Sequence, residues 1–458
     1  MTRNIKKILA ICAVFIICLN YIFPSYSVVV YAEDDTKSLE EQLSETVADQ
    51  LSGLDLSKIE NVFMNLSEDQ FSIIGSASYK DKLNKILSGE FSSNEKSIFA
   101  SILNLVFDDV LSFVPLLTTI IIVAIICGFL TSLKSDSSGS SIADIIHFVC
   151  YSIIITVVFS AIISVITSSG KVIGSLQTQM EVTFPVLLTL MTAIGATSSV
   201  AIYQPAVALL SGSIMEIFSS VLMPIFIFTL VFNVISNLTS TVKLNKFTKF
   251  FQSTFKWIIG TIFTVFMAFL AIKGITASTY DGVSVRTAKY AIRSYVPILG
   301  GYLSEGFDVI LSASVLIKNA IGASGLLIMF ASILTPIVKI LVLILILKLA
   351  AGILEPLTDA RISDFLYSVS KSLTMPIVMV LGVAFMYLIT VGLIMCTANF
   401  VWGENGGNFN VGFVGCWNKC AFCFGWLNSS IRTDKKIYKR SFCINCCCGG
   451  YNANFWPF

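Results

Sequence analysis

Residues 326–347 read LLIMFASILTPIVKILVLILIL, twenty-two positions with a single charge, Lys339. A helix of about 20 apolar residues covers the ~30 Å hydrocarbon core of a bilayer. Lipid offers no partner for backbone N–H and C=O groups, so such a stretch is expected as a membrane-spanning helix. Working outward, the same reading applies to Val110–Leu133, Ile145–Ile166, Ile217–Ile235, Trp257–Ile275 and Met375–Cys396. Hydrophobic residues make up 55% of the 458 and charged residues only 13%. Soluble domains carry about 25% charged residues, and a larger core still needs a charged skin. The mean hydropathy of +0.84 agrees. The fold class is therefore an all-α integral membrane protein of about six transmembrane helices.

Two regions do not fit six plain spans. Phe184–Ile194 and Val200–Leu210 are each too short to cross, and Gly195-Ala-Thr-Ser-Ser199 separates them. They read as a broken helix or a re-entrant hairpin, tolerated at membrane depth only inside protein or beside water. Tyr295–Ile321 carries Gly300, Gly301, Glu305 and Asp308 and is too polar to be read as a plain span.

The N-terminus has a basic start (Arg3, Lys6, Lys7), an apolar Ile8–Leu19 and Pro24. This is the pattern of a secretory signal, with cleavage expected between Ala32 and Glu33. The alternative is an uncleaved anchor over Ile8–Val30. Residues 33–107 form an acidic, extracytoplasmic helical leader with 14 acids against 6 lysines up to Lys96. Leu39, Leu43, Val47 and Leu51 make one apolar stripe. Ser57/Glu60, Ser67/Gln70 and Ser92/Glu95 have capping-box spacing. A solvated linker and a dedicated binding domain are both open for this leader. The membrane domain is set at 108–402.

Lysine counting orients the spans. If 184–210 returns to the side it left, then Lys134, Lys243, Lys246, Lys249, Lys256, Lys348, Arg361 and Lys371 all fall on the cytoplasmic side, as the positive-inside rule requires. Arg286, Lys289 and Arg293 fall outside. Lys246–Lys256 is also amphipathic, with Lys246, Lys249, Ser253 and Lys256 on one face and Phe247, Phe250, Phe251 and Phe255 on the other. It suits either a membrane-interface helix or a plain extension of the next span.

Several segments together resemble the stage III sporulation protein AE family of endospore formers. They are Phe184–Gly195 with Tyr203-Gln204-Pro205; Thr276–Lys289, containing Asp281 and Arg286; Val296–Ser304, containing Gly300 and Gly301; Ile317-Lys318-Asn-Ala-Ile-Gly322; and Lys348-Leu-Ala-Ala-Gly-Ile-Leu-Glu-Pro356. They occur in order over 182–397. The resemblance implies a non-enzymatic multi-pass subunit of the sporulation-specific channel linking mother cell and forespore. It implies an ATPase, other membrane subunits and ring-forming proteins as partners, and the mother-cell membrane around the forespore as location. It implies no catalytic residues and no cofactor, and nothing suggests nucleic acid. A stand-alone secondary transporter is the alternative, since broken helices also mark substrate sites there.

The residues singled out for family-motif or interaction roles are Pro185, Gln204, Pro205, Asp281, Arg286, Lys289, Gly300, Gly301, Lys318, Lys339 and Lys348. An intramembrane charge costs ~2.5–3.5 kcal/mol on insertion scales and faces a partner or a cavity unless it snorkels from a helix end. Asp281-Gly282 reads as a turn, with Arg286, Lys289 and Arg293 on one helical face after it. His147 is the one histidine, which argues against His metal or acid–base chemistry. The tail, 403–458, holds seven of the twelve cysteines. Its Cys416/Cys420/Cys423 spacing formally matches a cluster-binding motif, but too little chain follows for the barrel such enzymes need. It departs from the family pattern and is read as a gene-model fault.

Overall fold

The computed structural model describes residues 36–53, 56–68, 70–71, 78–87, 95–132, 140–238, 244–295, 300–356 and 360–397. The expected signal cleavage site at Ala32 and Glu33 and the cysteine-rich tail lie outside the described residues. The described helices belong to one compact unit, Met1–Asn399. Among the described residues there is no strand.

Three short helices come first: α1 (Thr36–Ser52), α2 (Ser57–Met64) and α3 (Tyr79–Leu87). Two long ones follow, α4 (Glu95–Ser132) and α5 (Ser140–Ala193). After a break, α6 (Thr197–Ala208) runs through two wider π-helical segments, Leu209–Ile214 and Phe218–Leu222, into α7 (Met223–Leu238). Then come α8 (Asn245–Tyr295), α9 (Gly300–Leu354), α10 (Ala360–Ser372) and α11 (Thr374–Cys396).

Among the described residues six stretches are long and apolar enough to cross a membrane: Ala100–Phe129, Phe148–Ala193, Thr197–Ser236, Lys246–Leu270, Gly301–Leu354 and Arg361–Cys396. They match the six expected spans in order. The helices holding them overrun those spans. α5, α8 and α9 have 54, 51 and 55 residues. At 1.5 Å per residue each is roughly 80 Å long, against a hydrocarbon core of about 30 Å. The surplus absorbs both irregular regions. Phe184–Ile194 closes α5, Val200–Leu210 opens the α6 run, and the polar stretch from Gly300 to Ile321 is the first half of α9. The break is real, but neither half is a separate short element. Likewise the 107/108 boundary expected between leader and membrane domain falls inside α4.

Helix α9 is central and packs on α1, α3, α4, α5, α8, α10 and α11. Of the most apolar eighteen residues, 83% are buried within the protein in the span through α11 and only 22% in the α4 span. Apolar burial orders these helices less by water exclusion than by close packing, since lipid tails are as apolar as leucine. The chain reverses at Gly195. The Tyr151 hydroxyl therefore donates to the Val234 carbonyl at 3.1 Å, 83 residues on. Asn233 Nδ2 reaches Ser372 Oγ at 2.7 Å at the same end.

The leader is not a solvated linker. Ile59 and Phe63 of α2 and Tyr79 and Leu83 of α3 are buried. The Tyr79 hydroxyl lies 2.9 Å from Ser324 Oγ of α9, and Ser314 Oγ donates to Gln50 Oε1 at 2.9 Å. Of the capping boxes, Ser67 donates its N–H to Gln70 Oε1 at 2.9 Å. At α2 the cap is Leu56, without a side-chain bond, so Ser57 is the first helical residue there. Ser92 lies outside the described residues.

Candidate functional site

The break between α5 and α6 is built locally. Gly195 has φ +89°, a region where a side chain is strained. Ala196 N–H bonds to the Met191 carbonyl and Gly195 N–H to the Thr192 carbonyl, both at 2.9 Å. This is the glycine-closed helix end that satisfies otherwise orphaned carbonyls. The next helix starts at once, and its own capping position, Ala196, has no oxygen to offer. Asp281 of α8 supplies it from 82 residues away. Its two carboxylate oxygens accept the N–H groups of Ser198 and Ser199, each at 2.9 Å. Asp281 is 1% exposed. A carboxylate is favourable there because the helix start carries partial positive charge. Four residues along α8, Val285 packs against the same break, with Cγ2 3.2 Å from where a Gly195 side chain would begin.

A mirror arrangement holds the end of α11. Lys318 of α9 is fully buried. Its ammonium donates to the Met395 carbonyl at 3.1 Å and to the Thr397 carbonyl. A cation on the terminal carbonyls complements the negative end of the helix. The Tyr203 hydroxyl of α6 lies 3.0 Å from Thr397 Oγ1. One short helix thus links the two devices: Asp281 seats its first turn, and Tyr203 touches the segment that Lys318 seats. Both charges are committed to backbone groups, so they pin helix ends. Asp281-Gly282, expected as a turn, is interior to α8.

The second feature is the outward face of the α5–α6 hairpin. From Ser164 to Ser220 the exposed positions are polar, charged or small, apart from Leu209. On α5 they include Thr167, Lys171, Gly174, Thr178, Glu181, Pro185, Thr189 and Thr192. On the returning helix of the hairpin they include Ala201, Gln204, Pro205, Ala208, Gly212, Ser213, Glu216 and Ser220. Glu216 sits in the single α-turn, Met215–Ile217, between the two π segments. Such widenings are frequent at functional positions. Gly174 and Gly212 have nothing within 4 Å of an added Cβ.

The remaining singled-out residues divide. Pro185, Gln204 and Pro205 join the hairpin face. Lys289 pairs with Asp308, and Arg293 Nε donates to Ser304 Oγ at 3.0 Å. Two of the three cations therefore stitch α8 to α9, while Arg286 is exposed. Gly300 starts α9 and Gly301 is exposed on it. Lys339 and Lys348 are half-buried and join neither device. Tyr203, Thr397 and the Gly174/Gly212/Glu216 positions were not singled out as an assembly in the sequence. Among the described residues no cluster of His, Cys, Asp and Glu could hold a metal.

The family profile for stage III sporulation protein AE matches residues 77–398. The chain belongs to that family. The stage III sporulation protein AE of Bacillus subtilis (strain 168) is 25% identical over 366 residues, covering 80% of this chain and 91% of the relative. No solved structure matches. The matched range contains α3–α11, both pinned helix ends and the whole hairpin face. Membership in the stage III sporulation protein AE family places the chain among sporulation membrane proteins that work with other sporulation proteins.

Proposed function

We propose that this chain is a non-enzymatic subunit of a transport apparatus between mother cell and forespore, seated in the mother-cell membrane around the forespore. The hairpin face carries the argument. A helix pair meeting only lipid would show large aliphatic side chains outward. This one shows glycine, serine, threonine, glutamine and three charges over more than fifty residues. An acid such as Glu216 facing lipid would cost ~2.5–3.5 kcal/mol, so protein or water covers it in the assembled state. Small residues let neighbouring helices approach closely.

In this reading the end carrying Lys249, Lys256 and Lys371 is cytoplasmic, and the leader end lies in the intermembrane space. The partners are an ATPase, further membrane subunits and ring-forming proteins. The two pinned helix ends fix the hairpin so that the face is presented in one geometry.

Deleting the gene is expected to leave engulfment intact and block later forespore development; normal heat-resistant spores from the deletion strain would remove the reading. Crosslinking from cysteines placed at Gly174 and Ser213 in sporulating cells is expected to recover other apparatus subunits. Exclusive reaction with lipid probes at both positions would sink the role of the face.

A further inference from the structure

The opposite end of the molecule holds a convergence that neither pinned helix nor hairpin face uses. Helix α8 begins with Lys246, Lys249 and Lys256, all exposed. It carries no acid from Asn245 to Tyr280. Lys249, Gln252 and Lys256 share one face at spacings of three and four. Gln252 Nε2 reaches Ser372 Oγ at 3.4 Å, and the same oxygen takes Asn233 Nδ2 at 2.7 Å. This joint seats the end of α10 against the first turns of α8. Exposed Lys371, 122 residues on from Lys249, directly precedes Ser372 and so stands beside this joint.

The phenylalanines of this segment split. Phe251 stacks on Phe232 at 5.4 Å and Phe255 is buried, which fixes the helix. Phe247, Phe250 and Trp257 are 55%, 62% and 70% exposed. They lie among the lysines, at the start of the membrane-spanning stretch Lys246–Leu270. The segment is thus continuous with its span, and its phenylalanine side is part buried and part exposed.

We infer that Lys249 and Lys371, with Lys246 beside them, form a binding site for anionic phospholipid headgroups, with Phe247, Phe250 and Trp257 seated among the lipids at the bilayer interface. Amphipathic aromatic rings favour headgroup depth. Each lysine near an anionic surface contributes substantially, and the contribution falls off within a screening length. The positive end of α8 adds to the attraction. The aromatics favour a lipid over a free anion, because a soluble phosphate gives them nothing to enter.

The test uses the purified full chain in nanodiscs of phosphatidylcholine with and without phosphatidylglycerol. The readouts are lipids retained by native mass spectrometry and the thermal midpoint. The wild type is expected to retain phosphatidylglycerol and to melt higher in its presence. Preference over phosphatidylcholine is expected to drop about fivefold for each of Lys249→Gln and Lys371→Gln. Lys58→Gln with Lys80→Gln removes two exposed leader charges and is expected to leave the preference unchanged. Equal retention by the Lys249/Lys371 double variant and wild type overturns the site. So does full stabilisation by inorganic phosphate in phosphatidylcholine discs. A double variant that melts early in pure phosphatidylcholine is replaced by Lys249→Arg, which keeps the charge and is expected to keep the preference.

Discussion

Two outward faces of this protein belong to helices that each hold a membrane-spanning stretch, yet they meet their surroundings differently. The most apolar eighteen-residue stretch of the α4 span has mean hydropathy 2.8 and that of the second span 2.6. On α4 the exposed side chains include Phe107, Leu111, Ile122, Ile125, Ile126 and Phe129. On the α5–α6 hairpin they are Thr167, Gly174, Thr178, Gly212, Ser213 and Glu216. The first is a surface for lipid tails; the second wants protein or water. The most apolar stretch of each span does not separate the two faces, because it says nothing of which residues point outward.

The sharpest way to break this contrast is to give the hairpin face the large aliphatic side chains of α4, with an aliphatic exchange on α4 as the control. Gly174→Leu combined with Ser213→Leu is expected to lower heat-resistant spore counts by several orders of magnitude at normal protein level. Ile122→Leu combined with Ile126→Leu is expected to leave them unchanged. Because an added Cβ at Gly174 meets nothing inside the protein, lost spores would report a lost neighbour and not a damaged fold. Normal sporulation by the Gly174/Ser213 variant would make the hairpin face another lipid surface.

Charge gives the next largest effect. Ile125→Glu on α4 is expected to cost ~2.5–3.5 kcal/mol of insertion, read as reduced membrane-integrated protein. Glu216→Gln, where an acid already stands, is expected to leave insertion unchanged.

Backbone glycines sharpen the comparison further. Gly195→Ala is expected to destabilise the protein by about 1–3 kcal/mol, because φ is positive and Val285 crowds the site. Gly212→Ala is expected to stabilise the isolated chain by about 0.5–1 kcal/mol, since it removes helix-interior glycine in open space. Thermal melts in detergent measure both, and equal shifts would contradict the structure of the break.

The smallest effect concerns the leader. Lys82 is brought down to about 8, first by burial and then by the charge of Lys85. Tyr79 is pushed up to about 12 by burial, against a lowering from its bond to Ser324. Between pH 8 and 10 the detached leader binds more protons at Lys82 than the docked one, so docking strengthens as pH rises. Above pH 10 the detached Tyr79 ionises while the docked one does not, and the trend reverses. Hydrogen exchange over residues 79–87 is expected to slow from pH 8 to 10 after correction for intrinsic rates. A monotonic loss of protection would contradict the buried placement of Lys82.

Much of this was legible in the chain itself. Six apolar runs gave six spans in order, and Gly195 marked the break because only glycine takes its conformation cheaply. The length of the helices was not legible. Polar residues such as Gln177, Gln179 and Glu181 look like the end of a span. Gln179 is nonetheless buried, with its amide on Ser332 Oγ at 2.8 Å, so the helix continues through them. Asp281-Gly282 looked like a turn for a related reason. Local propensity favours one, but two N–H groups of a helix 82 residues away outweigh it.

Hydrophobic content and its spacing settled by themselves that this chain is a bundle of membrane helices, and marked Gly195 to Ser199 as an interruption. Lipid penalises every unpaired backbone group, and that penalty is written residue by residue in composition. Which charges are buried, which helix ends they hold and which faces stay open were decided only by tertiary packing. Those depend on contacts between positions eighty to a hundred and fifty residues apart, which no local pattern encodes.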